Sequence, residues 1–518
     1  MSLVSLPYMG LLAVSVAAYY VVPKKVRWCV LLAVSYYFYI QASGSRVLYL
    51  LLSTLSIYLT ALLLQKQNNR LKEIKKLDKE LRKVRKRHIQ TTKKRIVLLG
   101  ILFNVGILLC LKYWNFFGGN FNAIFDLISL PIQIPMKKFL LPLGISYYTL
   151  MALSYIIDVY RGKYIASHNI GKVALYLSFF PQMTEGPIAR FDQTADALYQ
   201  GNKLSLEHIR TGCYLILWGV FKKMVIADRA AVYVNAVFDQ PTQGWVTLLA
   251  VALYTLQIYA EFSAAMDIVR GSAWLFGIYL PQNFQRPFFS KSIAEFWRRW
   301  HITLGTWLKD YIFYSVSLSS MNMKLNRSVK KHIKGNFGKF IVTAFPLFFV
   351  WFFNGFWHGA TWKYIFYGLY YYLVMMGALL LAPLFDPMKE RLKLKTNKAF
   401  MLFQIVRTTL LVMLGMLIFR ADTLSQAWTM LCGIFTFTQA NFMTFGLEKI
   451  DFIVLGIGTC MMFFLSLYQE LQGNVQVLID RKSLLLRYSI LLVIIALIIT
   501  FGMYGEGYNA ADFIYGGF

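Results

Sequence analysis

The sequence predicts an all-α polytopic integral membrane protein with about 11–12 transmembrane helices, plus re-entrant and interfacial helices. Of the 518 residues, 58% are hydrophobic and only 15% are charged. Apolar runs of roughly 17–22 residues recur along the chain, and this length matches the hydrocarbon core of a bilayer. No soluble domain is evident at either end, so one membrane-embedded domain is expected to cover residues 1–518.

Apolar runs define the elements in order. The candidate spans are 5–22, 27–43, 46–64, 96–115, 139–158, 210–227, 243–262, 340–358, 362–382, 402–419, 451–469 and 484–502. Gly, Pro or charged residues interrupt the apolar segments 170–187, 264–280 and 425–445, which are predicted to be re-entrant or interfacial. The first segment lacks a basic start and a small-residue cleavage pattern, so we interpret it as a retained span.

The distribution of basic residues predicts orientation in the plasma membrane. Residues 65–95 contain fourteen Lys and Arg against three acidic residues, which is typical of a solvated, helix-prone cytoplasmic segment. Three spans precede it, so the N-terminus is expected outside the cytoplasm. The basic stretch within 281–339 predicts a cytoplasmic interfacial segment, and the tail 503–518 has no Lys or Arg and is expected outside. Lys222 and Lys223, near the end of the 210–227 span, fit this topology poorly.

Charge, cysteine and histidine patterns exclude several classes of protein. The formal net charge is +30, but the basic residues lie between apolar runs and no recognition fold accompanies them, so no nucleic-acid partner is expected. The five cysteines have no CxxC spacing and are predicted to be buried free thiols. No HExxH pattern is present among the six histidines, and no metal site is predicted.

Residues 354–362 (NGFWHGATW) place His358 within one of the most apolar stretches of the chain. An imidazole there is costly unless it is hydrogen-bonded or used, and histidine is suited to proton transfer near neutral pH. The small residues Gly355, Gly359 and Ala360 are expected to leave room for a substrate beside the ring. Two interpretations remain open from these residues alone: a histidine packed between tryptophans, or a catalytic base.

A second segment, 296–311, combines tryptophans with basic residues. At helical spacing one apolar face is formed by Trp297, Trp300, Leu304, Trp307, Leu308 and Tyr311. The simple interpretation is an amphipathic helix at the membrane surface. The alternative is a binding site for an anionic acyl donor, in which Arg298 and Arg299 bind phosphate and Trp300 and Trp307 line the interface. His301 then either lies near the path of the donor or is a capping or bridging histidine at the helix surface.

Together, FWRRWHITLGTWLKDYIF (296–313) and NGFWHGATWKYIFYGLYYY (354–372) resemble the membrane-bound O-acyltransferase (MBOAT) superfamily. The resemblance is to its bacterial branch, which includes alginate O-acetylase and the D-alanyl transferase of teichoic acids. LPLGISYY (141–148), DVYR (158–161) and FFPQMTEGP (179–187) support it. In YAEFS (259–263), Glu261 stands where the family usually has Asp. The resemblance covers most of the chain, more weakly at 66–95 and 430–480.

The resemblance implies an MBOAT fold with a cytoplasmic donor entrance, an outer acceptor funnel and a tunnel between them. The invariant family histidine corresponds to His358 and the less constant one to His301. His358 is implied to act as general base on an acceptor hydroxyl, which then attacks an acyl thioester. Asn354, one helical turn earlier, orients the ring or polarises the carbonyl, or else is a structural amide.

The tail DFIYGGF (512–518) is similar to a C-terminal motif of the alginate-acetylase branch, whose tyrosine is thought to carry the acyl group briefly. An aryl ester of Tyr515 would be a reactive acyl donor. Gly516 and Gly517 depart from the family pattern, where aromatic and polar residues are usual. An interfacial aromatic anchor is therefore the alternative role for Tyr515.

The function expected from the resemblance is acyl transfer, with acetyl favoured, from a cytoplasmic thioester to a cell-surface polysaccharide. No bound cofactor is expected; the donor is acetyl-CoA or an acyl carrier protein thioester. The expected partners are an extracytoplasmic acyltransferase or esterase and the lipid bilayer. The alternative is D-alanylation of teichoic acid, which the chain length disfavours. A transporter or lipid flippase is a remote alternative, because few charges lie within the spans and no repeat is evident.

Overall fold

The computed structural model describes residues 2–333, 336–436, 441–473 and 475–504. Within these ranges the regular structure is helical, and pairing between extended segments is limited to one isolated bridge, between Phe284 and Trp300. The chain forms two compact units. The first comprises residues up to 213 together with 269–281, and the second comprises 214–268 and the residues from 282 onward.

The first unit contains nine complete helices before the boundary at residue 213. They are α1 (Leu6–Val21), α2 (Arg27–Ser43), α3 (Val47–Glu73), α4 (Lys79–Leu108), α5 (Trp114–Leu127), α6 (Ile145–Arg161), α7 (Ile170–Ser178), α8 (Phe180–Met183) and α9 (Phe191–Tyr199). Gly44, with a φ of 56°, separates α2 from α3 because glycine adopts a positive φ without steric cost. Two boundaries between the units fall inside helices, namely the next helix, α10 (Leu206–Phe221), and α12 (Gly244–Leu275), and a third follows Pro281.

The second unit carries the candidate catalytic residues. Its other helices are α11 (Asp228–Asp239), α13 (Ile293–Arg299), α14 (Ile302–Leu308), α15 (Tyr314–Ser317), α16 (Ser320–His332), α17 (Asn336–His358), α18 (Trp362–Arg391), α19 (Lys398–Arg420), α20 (Leu424–Gly433), α21 (Lys449–Leu471), α22 (Val475–Asp480) and α23 (Leu484–Phe501). Short π-helical turns follow α4, α10 and α14, at Leu109–Tyr113, Lys222–Ala227 and Lys309–Phe313.

The all-α, multi-pass prediction is confirmed. Eight helical stretches in the described ranges are long and apolar enough to cross a membrane, and nine of the twelve predicted spans lie within them. The other three predicted spans correspond to the shorter helices α1, α6 and α10, of 16, 17 and 16 residues. The basic segment 65–95 is helical as predicted, since the end of α3 and the start of α4 cover most of it.

The structure corrects three details of the sequence prediction. The span at 139–158 begins only at Ile145, because residues 130–142 contain three prolines and form no helix. Segment 264–280 is not a separate re-entrant piece, since α12 continues without a break to Leu275. The cysteines are free as predicted, but four of the five lie exposed on the protein surface. Residues 170–187, in contrast, form the short helices α7 and α8, in agreement with the predicted broken segment.

Candidate active site

His358 is the last residue of α17, and a short turn through Gly359 leads directly into α18. The two helices approach very closely at Gly355, where an added Cβ would lie 2.1 Å from the carbonyl oxygen of Tyr364. At Gly359 an added Cβ would lie 2.3 Å from the Tyr364 ring. The glycines beside His358 therefore allow close helix packing. The predicted open room beside the ring is wrong at these two positions, because Tyr364 occupies it.

Aromatic side chains surround the His358 ring, which is 2% exposed. Tyr367 meets it edge-on, with ring centroids 5.9 Å apart, and Phe419 does so at 5.3 Å. Phe419 and Tyr367 also contact each other, with centroids 5.1 Å apart. Residues from α18 and α19 thus position the imidazole in an environment of low polarity, where electrostatic interactions with a reactant are stronger than in water.

His301 lies at a sharp break between α13 and α14. Its φ is 46°, a left-handed conformation that is uncommon for residues other than glycine. The continuous amphipathic helix predicted across 296–311 is therefore wrong: the chain turns at Trp300 and His301. Asn283 holds the start of α14, since its carbonyl oxygen accepts from Ile302 N at 3.0 Å and its side-chain oxygen accepts from Thr303 N at 3.0 Å.

The turn places the His301 imidazole in the protein interior, where it is 2% exposed. Phe262 of α12 packs edge-on against it, with centroids 4.9 Å apart. Burial lowers the pKa of His301 to about 3, so the ring is neutral near physiological pH. The alternative of a histidine at the helix surface is excluded by this burial.

One indole connects the two histidines. The Trp357 ring lies 5.6 Å from the His301 ring and 5.1 Å from the His358 ring, measured between centroids. The structure therefore brings together two imidazoles that are 57 residues apart in the sequence. Two buried imidazoles against one aromatic wall form an arrangement suited to moving a proton on and off a reactant.

Asn354 lies one helical turn before His358 on α17 and is buried, at 4% exposure. Residues four apart on a helix share a face, as the sequence predicted. The side-chain oxygen of Asn354 has no hydrogen-bond partner among the described residues. Because a buried polar atom without a partner costs free energy, this amide is a candidate for contact with a bound reactant.

The two arginines proposed for donor binding are placed differently. Arg298 is exposed. Arg299 instead lies 3.0 Å from Glu470 and 2.8 Å from Glu295, measured between nitrogen and carboxylate oxygen. Arg286 also pairs with Glu470, at 2.5 Å. Carboxylates within the protein therefore compensate most of the Arg299 charge, whereas the Arg298 side chain lies at the surface.

The two tryptophans proposed beside them are both buried. Trp300 is 1% exposed and stacks on Phe296, with centroids 5.3 Å apart and ring planes 20° apart. Trp307 is 5% exposed and contacts Tyr311, with ring centroids 5.0 Å apart. Tyr515, the last of the candidate site residues, lies outside the described residues.

Residues 35–418 match the model of the membrane-bound O-acyltransferase family, MBOAT. The chain belongs to this family. The matched range includes His301, Asn354, His358 and the donor-side candidates, and it ends before Tyr515. The resemblance inferred from the sequence motifs is thereby confirmed, and family membership indicates an acyltransferase.

Curated MBOAT relatives differ in the acceptor that their names give. The probable alginate O-acetylase AlgI of Pseudomonas aeruginosa is 32% identical over 380 residues, which cover 72% of this chain and 66% of that protein. The peptidoglycan O-acetyltransferase of Helicobacter pylori is 32% identical over 304 residues, 53% of each chain. The teichoic acid D-alanyltransferase of Streptococcus thermophilus is 28% identical over 276 residues, 50% of this chain and 62% of that protein. The chain spans about two thirds of the length of the curated alginate O-acetylase from P. aeruginosa.

A cluster of buried charges, not predicted from the sequence, joins α12 to the turn Lys222–Ala227 and the start of α11. Lys223 is fully buried and lies 2.7 Å from Glu261 and 2.8 Å from Asp228. Lys222 pairs with Asp267 at 2.8 Å. Two signals were present: the two lysines fitted the topology poorly, and Glu261 departed from the family pattern. The pairing accounts for the two lysines, since their charges are neutralised by carboxylates inside the protein.

Proposed function

We propose that this MBOAT protein transfers an acyl group, acetyl in the favoured case, from a cytoplasmic thioester to a hydroxyl of a cell-surface polysaccharide. The observation that carries the proposal is the pair of buried imidazoles, His301 and His358, against Trp357. The names of the O-acetylating relatives support acetyl as the group and a polysaccharide as the acceptor.

In the proposed reaction His358 acts as general base. A ring nitrogen takes the proton of the acceptor hydroxyl while the oxygen attacks the thioester carbonyl carbon. When the tetrahedral intermediate collapses, the carbon–sulfur bond breaks and the imidazolium returns the proton to the departing sulfur.

Asn354 and His301 complete the proposed site. The Asn354 amide lies on the same helix face as His358, and its NH2 group can donate a hydrogen bond to the thioester carbonyl and so polarise it. His301 is neutral, and a neutral imidazole can accept or donate a hydrogen bond to a reactant without bringing a charge into an apolar site. His358 and His301 are proposed as catalytic residues and Asn354 as their polar neighbour.

The donor side is proposed on the face that carries Arg298. An exposed arginine suits the phosphates of acetyl-CoA, and it suits the phosphopantetheine of an acyl carrier protein equally well. The basic stretch within 281–339, which contains Arg298, supports a cytoplasmic location for the donor side, and both termini are proposed to lie outside. Trp307 and Trp300 then act by supporting the wall of the site, because both are buried.

On the acceptor side, the hydroxyl that first attacks the thioester is proposed to be the phenol of Tyr515. The resulting aryl ester then passes its acyl group to a hydroxyl of the polymer with the help of an extracytoplasmic partner acyltransferase or esterase, and the phenol is regenerated. D-alanyl transfer to teichoic acid is the second candidate, favoured by the match to the D-alanyltransferase of S. thermophilus. The two candidates share the His358 chemistry and differ in the acyl group, in its donor and in the acceptor polymer.

The test uses membranes that contain the full-length protein and donors labelled in the acyl group. His358→Ala is expected to lower transfer to polymer from labelled acetyl-CoA by about 10²–10⁴-fold, the usual contribution of positioned proton transfer. His332→Ala, at an exposed histidine on α16, is the matched control and should retain activity. Equal labelling by wild type and His358→Ala would refute the proposal. Polymer labelling from D-alanyl carrier protein, with none from acetyl-CoA, would select the second candidate. Full polymer labelling by the Tyr515→Phe variant would exclude Tyr515 as the acyl carrier.

A further inference from the structure

An open groove of about 490 Å³ lies beside the last turns of α3 in the first unit. It is lined by Leu62, Gln65, Lys66, Asn69, Arg70, Glu73 and His168. One wall is therefore the polar end of α3, and the other is the segment between α6 and α7. No residue of the proposed active site takes part in it.

The groove has a defined architecture. The Tyr58 hydroxyl donates to the carbonyl oxygen of His168 at 2.9 Å, and the Gln65 side-chain oxygen accepts from Ala166 N at 3.3 Å. Gln65 also donates to the Asn69 side-chain oxygen at 2.9 Å. These bonds hold the segment that contains His168 against α3, and the Asn69 side chain is part of the groove lining.

The groove is electropositive. Lys66 and Arg70, one helical turn apart, are both exposed, and neither forms an ion pair with any described residue. Glu73 is the single acidic group in the lining. Two cations that have no acidic partner, together with the Asn69 amide and the His168 imidazole, are donors suited to a phosphate diester.

The part of α3 that precedes the groove has an apolar stripe on the helix face that carries Lys66 and Arg70. With 27 residues, α3 is about 40 Å long and exceeds the ~30 Å hydrocarbon core, so its polar end extends into the headgroup region. The stripe consists of exposed leucines three or four residues apart, and Lys66 and Arg70 continue this spacing. The leucines are Leu48, Leu52, Leu55, Leu59 and Leu63. A ligand that fits has long apolar chains and an anionic head.

We propose that this groove binds the headgroup of an anionic glycerophospholipid, with the phosphate at Lys66 and Arg70 and the acyl chains along the leucine stripe of α3. The Glu73 carboxylate accepts hydrogen bonds from headgroup hydroxyls, which favours a glycerol-type headgroup. Basic residues next to a membrane span are the usual means by which proteins hold anionic lipids. The inference is independent of the acyl-transfer reaction.

The test is native mass spectrometry of the full chain in detergent with equal amounts of dioleoyl phosphatidylglycerol and dioleoyl phosphatidylcholine. Wild type should retain phosphatidylglycerol preferentially. The Lys66→Gln/Arg70→Gln variant should bind it roughly 25-fold more weakly, since each basic residue near a membrane contributes about five-fold. The control Lys83→Gln/Arg87→Gln removes the same charge at the same spacing from exposed positions of α4 and should bind like wild type.

Three outcomes would overturn the proposal. Equal losses in the two double variants would show attraction by general charge and not by the groove. Unchanged binding in Lys66→Gln/Arg70→Gln would remove the assigned contacts. Displacement of the lipid by an equal concentration of soluble glycerophosphoglycerol would assign the groove to a free phosphate ester, since the leucine stripe would then contribute nothing.

Discussion

Substitution of the buried Lys223 tests whether its ion pairs stabilise the second unit. Lys223 is fully buried and bridges Glu261 and Asp228, whose side chains are also almost fully buried. Lys223→Met keeps most of the side-chain volume but leaves two carboxylates without their cation. Removal of one partner from a buried ion pair costs about 3–5 kcal/mol, because the remaining charge is neither hydrated nor neutralised.

The matched control is Lys389→Met. Lys389 pairs with Asp386 at 2.8 Å, nearly the distance found at Lys223, but the carboxylate is 59% exposed. Exposed pairs contribute about 0–1 kcal/mol because water replaces the lost partner. The assay is the apparent midpoint of thermal unfolding in detergent, followed by size-exclusion chromatography. Lys223→Met should lower the midpoint several times more than the control does.

A second variant separates charge from packing. Adding Glu261→Gln to Lys223→Met removes one of the two uncompensated charges and should restore part of the lost stability, a non-additive effect expected for residues in contact. If Lys223→Met unfolds at the same temperature as Lys389→Met, the buried ion pairs of Lys223 do not stabilise the protein more than an exposed pair does.

Two further predictions concern the histidines and their supports. Gly355→Ala should force α17 and α18 apart, with about 1–3 kcal/mol of destabilisation and reduced acyl transfer, whereas Gly377→Ala on α18, where a Cβ meets nothing within 4 Å, should be neutral or stabilising in the same thermal assay. In the unfolded chain His301 becomes protonated when the pH falls below its ordinary pKa of 6.5, whereas in the folded protein it stays neutral until the pH nears its lowered pKa of about 3. Because the unfolded chain then binds more protons, the folded state should lose stability as the pH falls from 6.5 towards 3. His301→Gln should flatten the dependence of unfolding free energy on pH by up to about 1.4 kcal/mol per pH unit, and an unchanged slope would contradict the burial of a neutral ring.

Helix positions were largely predictable from local sequence. Span 340–358 and span 362–382 appear as α17 and the first part of α18, and His358 is buried between apolar residues as its surroundings indicated. The turn at His301 was not predictable, because a left-handed residue other than glycine has no compositional signal and the hydrophobic spacing continues unchanged across it.

The same limit explains the glycines and the lysines. Gly355 was interpreted as open space, yet it contacts a carbonyl from the following helix. Lys223 fitted the predicted topology poorly, and the structure pairs it with Glu261, 38 residues further along the chain. In both cases the sequence identified an unusual residue in an apolar segment but not the distant group that it contacts in the folded protein.

By itself, the sequence determined that this chain is a helical membrane protein of the MBOAT family and where most of its spans lie. It could do so because the transfer of an apolar segment into a bilayer depends on the length and composition of that segment alone. Only the tertiary structure decided that His301 and His358 share Trp357 and that Lys223 is neutralised in the interior. Such contacts join residues distant along the chain, and only the packing of whole helices brings them together.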